Sequence, residues 1–147
     1  MDVTGDSSTS SSPPKRTAVL LIAHGSREQA ANDDLHELAA RLAAEGHHSI
    51  VVACFLELSD PDILSGGARC VAAGATCVLM IPYFLSAGVH LRRDLTAARE
   101  ELQARFPGVE FRLGPPLGPH PLLDSLVAAR IRELDDTSPD RTAPHPA

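Results

Sequence analysis

Aromatic residues and an excess of positive charge are both missing from this sequence. Phenylalanine, tyrosine and tryptophan together make up 3% of the 147 residues, tryptophan is absent, and the formal net charge is −6. A protein that binds nucleic acids in general needs a basic stripe or patch to neutralise phosphates. No such stripe occurs here, so the composition excludes a general nucleic-acid-binding protein.

Long apolar runs and paired cysteines are also absent. No run approaches the roughly 20 apolar residues that a membrane-spanning helix needs, so no membrane segment is expected. The cysteines are Cys54, Cys70 and Cys77, an odd number without a C-x-x-C pair. Because each lies in an apolar run or a helical segment, we predict small buried thiols in a reducing compartment. This favours the cytoplasm over disulfide or iron–sulfur chemistry.

Polar ends flank the part of the chain that has apolar periodicity. Residues 1–16 are rich in serine and threonine, and residues 135–147 contain three prolines. Neither end offers enough apolar surface to fold, so both are predicted to be disordered tails. The first tail lacks the apolar stretch of a secretory signal, and its acidic residues do not suit a transit peptide. Residues 17–134 remain for one compact domain.

Strands and helices alternate through this domain. Apolar runs predict buried strands at 18–23, 49–55 and 77–81, and an alternating run predicts a fourth strand at 109–113. Helical spacing of apolar residues predicts helices at 28–45, 61–73, 91–106 and 122–134. The order βαβαβαβα predicts an α/β fold with a single four-stranded parallel sheet and helices on both faces.

Two features of the second predicted helix concern its start and its middle. Ser59 or Asp60 is expected to cap it, with Pro61 in the first turn. The pair Gly66-Gly67 weakens its interior by about 1 kcal/mol per glycine relative to alanine, and the sequence gives no reason for this pair.

Three polar residues follow the predicted strands at equal intervals. His24 directly follows the first strand, Glu57 comes soon after the second, and His90 lies beyond the third, with a spacing of 33 residues in both cases. Parallel strands deliver such residues to one edge of the sheet, where ligands bind. A single histidine at a strand end is more often structural, but two imidazoles and a carboxylate together suit Co²⁺, Fe²⁺, Ni²⁺ or Zn²⁺. They can also accept protons near neutral pH.

Cationic and hydroxyl side chains lie beside both histidines. Ser26 and Arg27 follow His24, and Arg92 and Arg93 follow His90. Guanidinium groups pair well with carboxylates, so these residues are candidates for holding an anionic ligand. The pair Arg92-Arg93 is equally consistent with a solvated first turn of a helix. A further histidine, His120, follows the fourth strand and is a weaker candidate for the same cleft.

The motifs at these positions resemble those of a known enzyme family. They are His24-Gly25-Ser26-Arg27, Phe55-Leu56-Glu57 with Pro61, and Pro82-Tyr83-Phe84-Leu85-x-x-Gly88-x-His90-x-x-x-Asp94. In order and spacing they are similar to the CbiX-type sirohydrochlorin chelatases, small class II chelatases that insert Co²⁺ or Fe²⁺ into sirohydrochlorin. The resemblance covers about residues 17–134.

This resemblance implies a flavodoxin-like chelatase fold and a metal-inserting lyase of cobalamin or siroheme biosynthesis. The metal-site histidines would be His24 and His90, and Glu57 would be the acidic helper. The divalent metal would be a substrate, and no organic cofactor is expected. Short members of the family resemble half of a two-lobed chelatase and are completed by homodimerisation. A second subunit would supply the other wall of the cleft for so broad a macrocycle.

Other interpretations of the same residues stay open. The chain could be a non-catalytic carrier of metal or tetrapyrrole, or a nickel chelatase of the same family. A phosphoryl-transfer enzyme with His24 as nucleophile is weaker, because an arginine usually precedes that histidine and Ala23 stands here. A flavodoxin-like module without a site would leave the equal spacing to chance.

Overall fold

The computed structural model describes residues 14–137. Strands and helices alternate through them as predicted. They are β1 (Thr17–Ala23), α1 (Gln29–Ala44), β2 (Ile50–Phe55), α2 (Ile63–Ala72), β3 (Cys77–Pro82), α3 (Val89–Arg105), β4 (Glu110–Leu113) and α4 (Pro121–Asp136). No helix within this part of the chain is long and apolar enough to cross a membrane.

The four strands form one parallel sheet in the order β2-β1-β3-β4. This confirms the predicted fold class. In the register of the central strand, Ala23 pairs with Phe55 and Ile22 pairs with Pro82. The carboxyl ends of β1, β2 and β3 therefore end at nearly the same level, and the segments that follow them leave the sheet at one edge.

Each face of the sheet has its own apolar core, because side chains alternate along a strand. On one face, Leu20 and Ile22 of β1 belong to a cluster that includes residues of α2 and α3. On the opposite face, Leu21 packs with Leu35 and Ala39 of α1. Helices thus lie on both faces, as predicted, although α4 contributes no buried residue.

The glycine pair in α2 lies where this helix packs against the sheet and α3. A Cβ added at Gly66 would lie 2.8 Å from the Cβ of Cys54 and 2.9 Å from the Cδ1 of Leu20. At Gly67 it would lie 2.6 Å from the Cδ2 of Leu102. Only hydrogen at these positions lets α2 approach so closely, which explains a pair that weakens the isolated helix.

Gly66→Ala is therefore expected to destabilise the domain. Overpacking a core costs about 1–3 kcal/mol, whereas alanine restores about 1 kcal/mol of helix propensity. The cost of overpacking should exceed the gain in helix propensity, because the Cβ of Cys54 is fixed to β2 and cannot rotate away. The difference in thermal unfolding midpoint between the variant and wild type measures the net effect on stability. Gly108→Ala is the control, since a Cβ there meets no atom within 4 Å. An unchanged or higher unfolding midpoint for Gly66→Ala would contradict this account.

The predicted cap of α2 is wrong. Asp62 is the N-cap, and its carboxylate accepts a hydrogen bond of 2.8 Å from the amide of Ser65. This bond lowers the pKa of Asp62 below its ordinary value. Pro61 precedes the helix because its carbonyl accepts a hydrogen bond of 2.9 Å from the amide of Phe55, which holds this segment against the end of β2.

Contacts and helical structure are also seen just outside residues 17–134. The carbonyl of Arg16 accepts a 2.8 Å hydrogen bond from the amide of Thr76, and the amide of Arg16 donates to Thr76 Oγ1 at 2.9 Å. At the other end, α4 continues to Asp136 instead of ending at Leu134. Residues 1–13 and 138–147, which make up most of the two predicted tails, lie outside the described part of the chain.

The three cysteines are free and buried, which confirms the prediction of isolated thiols. Burial raises the pKa of Cys70 to about 11. It also raises the pKa of Cys54, again mainly through desolvation. Both thiols are therefore protonated near neutral pH and serve as small apolar side chains between the sheet and α2.

Candidate functional site

Segments from three strand ends lie side by side at the carboxyl edge of the sheet. The amide of Glu57 donates to the carbonyl of His24 at 3.1 Å, and the amide of Leu56 donates to the carbonyl of Ala23 at 2.9 Å. On the other side of β1, the amide of Tyr83 donates to the carbonyl of Ile22 at 2.6 Å. We call the surface formed by residues 24–27, 57–58 and 83–93 the rim.

The close approach of the first two rim segments requires a glycine at position 25. Gly25 has φ +90°, a conformation that side chains disfavour, and an added Cβ would overlap the carbonyl oxygen of Glu57. The turn after Glu57 is strained as well, because Leu58 has φ 64°. The sequence motif at 24–27 thus includes a glycine for a steric reason that only the folded chain reveals.

Asn32 fixes the rim segment that carries His24. This side chain is 2% exposed, and its Oδ1 accepts a 2.9 Å hydrogen bond from the amide of Ser26. Its Nδ2 donates to the carbonyl of Ser26 at 2.8 Å. Sequence reasoning missed Asn32, although a signal existed: a polar residue on the same helical stripe as the buried Leu35 and Ala39.

Asn32→Ala is expected to lower the free energy of unfolding by about 1–3 kcal/mol, because it leaves the amide and carbonyl of Ser26 without partners. Urea denaturation measures this loss. Gln29→Ala is the matched control, since the amide of Gln29 bonds the carboxylate of Asp33 on the exposed surface of the same helix. Equal denaturation midpoints for the two variants would show that the buried bonds do not hold the segment.

Ser26 and His24 make further contacts within the rim. Ser26 Oγ accepts a 3.0 Å hydrogen bond from the amide of Glu28, so this hydroxyl shapes the turn before α1. The His24 ring packs on the ring of Phe84, with centroids 4.9 Å apart and planes tilted by 42°. Because Phe84 is buried in the core, this contact links the segment after β1 to the segment after β3.

The sequence predicted a helix beginning at residue 91, with His90 in the loop before it. In the structure His90 instead lies in the first turn of α3. The loop ends earlier because Gly88 is the N-cap, and its carbonyl accepts a 3.0 Å hydrogen bond from the amide of Arg92. The first amides of a helix lack partners within it and carry partial positive charge. His90 therefore lies at the positive end of α3, a favourable place for an anionic ligand.

The three predicted metal ligands differ in how closely the structure brings them together. Glu57 and His24 are joined through their main chains, and His24, Glu57 and His90 are all exposed. Within residues 14–137, however, no three His, Cys, Asp or Glu side chains form a group that could hold a metal. A closed three-ligand cage is thus not preformed, and the assignment of these residues to a metal stays a prediction.

The predicted ligand-binding arginines surround the rim. Arg27, Arg92 and Arg93 are exposed, and none belongs to an ion pair within the described part of the chain. Arg92 also lines a depression of about 410 Å³ between α3 and the segment after β4. These guanidinium groups are therefore available to pair with carboxylates of a ligand.

Apolar side chains are exposed on the same rim. They are Leu58 at 56%, Tyr83 at 44%, Leu85 at 67% and Val89 at 63%. Single exposed apolar residues are ordinary, but these four belong to segments that adjoin Glu57 and His90. Apolar surface next to unpaired guanidinium groups suits a ligand with an apolar body and anionic edges.

His120 has a structural role that the sequence did not reveal. It is the N-cap of α4, and its Nδ1 accepts a 3.0 Å hydrogen bond from the amide of Leu122. The same side chain lines a cavity of about 600 Å³ between Leu85 and α4. Capping of α4 accounts for this histidine without a metal.

The parallel sheet, the helices on its two faces and the polar rim at its carboxyl edge define a chelatase-type α/β lobe. Residues 18–134 match the CbiX family, which spans nearly all of the described residues. The chain belongs to the CbiX family.

Known proteins similar to this chain include chelatases for two metals. The chloroplastic sirohydrochlorin ferrochelatase of Arabidopsis thaliana is 32% identical over 78% of this chain and 51% of its own length. The sirohydrochlorin cobaltochelatase of Methanococcoides burtonii is 30% identical over 82% of this chain and 98% of its own length. The crystal structure of the sirohydrochlorin chelatase SirB from Bacillus subtilis subspecies spizizenii, in complex with cobalt, has a TM-score of 0.74 and 26% identity. The match covers 81% of this chain and 51% of that one.

The relatives fall into two length classes. This chain spans between 38% and 51% of four curated relatives, but almost the whole of the protein from M. burtonii. One lobe of this size therefore occurs both as part of a longer chain and nearly alone.

Proposed function

We propose that this protein is a sirohydrochlorin chelatase, which inserts Co²⁺ or Fe²⁺ into the macrocycle and releases two protons. The observation that carries the proposal is the joining of the His24, Glu57 and Tyr83 segments at one edge of a CbiX-family lobe. Relatives named for both cobalt and iron insertion support it.

In the proposed mechanism, His24 and His90 deliver the metal as neutral imidazoles. The ion must lose water and exchange its protein ligands for pyrrole nitrogens, so an open set of two imidazoles suits it better than a closed cage. Each insertion displaces two pyrrole N–H protons, of which Glu57 takes up one at the exposed rim while the other passes to solvent.

The same rim fits the two kinds of surface on sirohydrochlorin. Its ring can pack on Leu58, Tyr83 and Val89, which are exposed beside the candidate ligands. Its carboxylates can pair with Arg27, Arg92 and Arg93, and Ser26 lies within the same segment as His24. One lobe covers one side of such a ligand, so we propose that a homodimer supplies the second wall.

The proposal also covers the choice of metal, the need for a cofactor, the pathway and the compartment. Ni²⁺ is a further candidate metal, because imidazole and carboxylate ligands do not discriminate strongly among these ions. No organic cofactor is required, and the reaction would serve cobalamin or siroheme biosynthesis. The free buried cysteines favour a reducing compartment such as the cytoplasm.

An absorbance time course of sirohydrochlorin with each metal tests the proposal, with the protein well below the substrate concentration. We expect faster insertion of Co²⁺ or Fe²⁺ than without protein, continuing over many turnovers. A change that stops after one equivalent would indicate the non-catalytic carrier instead. No acceleration with Co²⁺, Fe²⁺ or Ni²⁺ would refute the enzymatic function.

A further inference from the structure

Leu58 has a backbone conformation that leucine disfavours. Its φ is 64°, and it is the only residue other than glycine with a positive φ in the described part of the chain. This conformation suits glycine or asparagine, whereas a bulky side chain raises its energy. Leu58 is also 56% exposed and belongs to neither apolar core cluster. Within residues 14–137, little burial of this side chain therefore offsets the strain of its backbone.

Hydrogen bonds on both sides of Leu58 hold it in this conformation. The amide of Phe55 donates to the carbonyl of Pro61 at 2.9 Å, which closes a short loop with Leu58 at its middle. Within the loop, the amide of Glu57 donates to the carbonyl of His24 at 3.1 Å. The loop is thus fixed at its base and just before Leu58, so this leucine is held at the rim by a rigid segment.

The loop also places Leu58 beside the groups that the proposed reaction uses. Glu57, the proposed proton acceptor, directly precedes it, and the segment of His24 is hydrogen-bonded to the same loop. A broad ligand that lies over these two side chains covers the middle of the loop as well. A segment that is fixed before the ligand arrives loses little freedom on binding, so burial of its apolar side chain adds to affinity. Backbone strain is often found at such ligand contacts.

We propose that Leu58 is a pre-positioned contact for the apolar face of the macrocycle, and that its strained backbone is tolerated because this contact raises the affinity for the ligand. This rests on the proposed function, since it assigns one residue of the rim to the binding of that substrate. Tyr83 and Val89 are exposed on the same rim without a positive φ. Leu58 is therefore the one of these three whose side chain works against the stability of its own loop.

Leu58→Asn separates the side-chain contact from the backbone. Asparagine has nearly the shape of leucine and accepts a positive φ more readily, but its amide is polar. We expect a thermal unfolding midpoint equal to or above that of wild type. Metal-free sirohydrochlorin should bind at least about tenfold more weakly in a titration followed by absorbance. Leu58→Met is the matched control, because it keeps both the positive φ and the apolar surface, and it should bind within about threefold of wild type.

The same titration distinguishes this inference from the proposed function. Equal affinities of Leu58→Asn and wild type, or an equal loss in Leu58→Met, would overturn the contact. A smaller mass of Leu58→Asn than of wild type in light scattering would also overturn it, because Leu58 would then contact a second copy of the chain. A wild type that binds the macrocycle more tightly than Leu58→Asn but inserts no metal refutes only the chelatase proposal. A wild type that does not bind the macrocycle refutes both.

Discussion

Gly25→Ala is expected to lower the free energy of unfolding by about 2–5 kcal/mol and to abolish most of the metal insertion. An alanine in the left-handed region costs about 1–2 kcal/mol. Its Cβ would also overlap the carbonyl oxygen of Glu57, so the segments after β1 and β2 must separate. This overlap costs about a further 1–3 kcal/mol, as overpacking does elsewhere, and it also breaks the 3.1 Å hydrogen bond from the amide of Glu57 to the carbonyl of His24.

Gly46→Ala separates the two causes of this effect. Gly46 has φ +85°, close to the φ of Gly25, but a Cβ there meets nothing within 4 Å. Gly46→Ala should therefore lose only the roughly 1–2 kcal/mol that an alanine costs in the left-handed region, and its rate of metal insertion should equal that of wild type. Urea denaturation and insertion assays on both variants measure the difference. If Gly25→Ala were no more damaging than Gly46→Ala, the close approach of the two rim segments would not matter.

His24→Ala and His90→Ala should each reduce metal insertion by at least about tenfold, which corresponds to about 1.4 kcal/mol of lost transition-state stabilisation. Both side chains are exposed on the rim, so the fold should remain intact. Steady-state insertion rates with Co²⁺ and Fe²⁺ measure the loss. Glu57→Gln should be milder, because the amide keeps the size of the side chain and still coordinates weakly.

His47→Ala is the control for these histidine variants. His47 is exposed and precedes β2, at the amino edge of the sheet and away from the rim. Its rate should equal that of wild type. Normal rates for both His24→Ala and His90→Ala, with every divalent ion tried, would contradict the assignment of the site.

Much of the fold was predictable because the strands are read from continuous apolar runs. Strands buried on two faces leave such runs, and the order of elements then fixes parallel pairing. The proximity of His24 and Glu57 was predictable for a related reason. Both come just after neighbouring parallel strands, and a hydrogen bond joins their main chains in the structure. These predictions depend only on local pattern and on the rule that parallel strands end at one edge.

Other features depend on contacts between distant residues and could not be predicted. Gly66 lies against Cys54 and Leu20, two residues of other elements, so its small size has no local signal. The cap of α2 is Asp62 because Pro61 is held by the end of β2. Helical periodicity predicts α4, but whether its apolar side chains pack on the same chain is decided by tertiary structure.

The coordination of Co²⁺ by the protein alone shows whether His24 and His90 hold the metal. X-ray absorption at the cobalt edge, before any tetrapyrrole is added, counts imidazole ligands independently of catalysis. We expect two imidazole nitrogens in wild type and in His47→Ala, and one in His24→Ala and in His90→Ala. Unchanged imidazole coordination in both His24→Ala and His90→Ala would contradict this assignment.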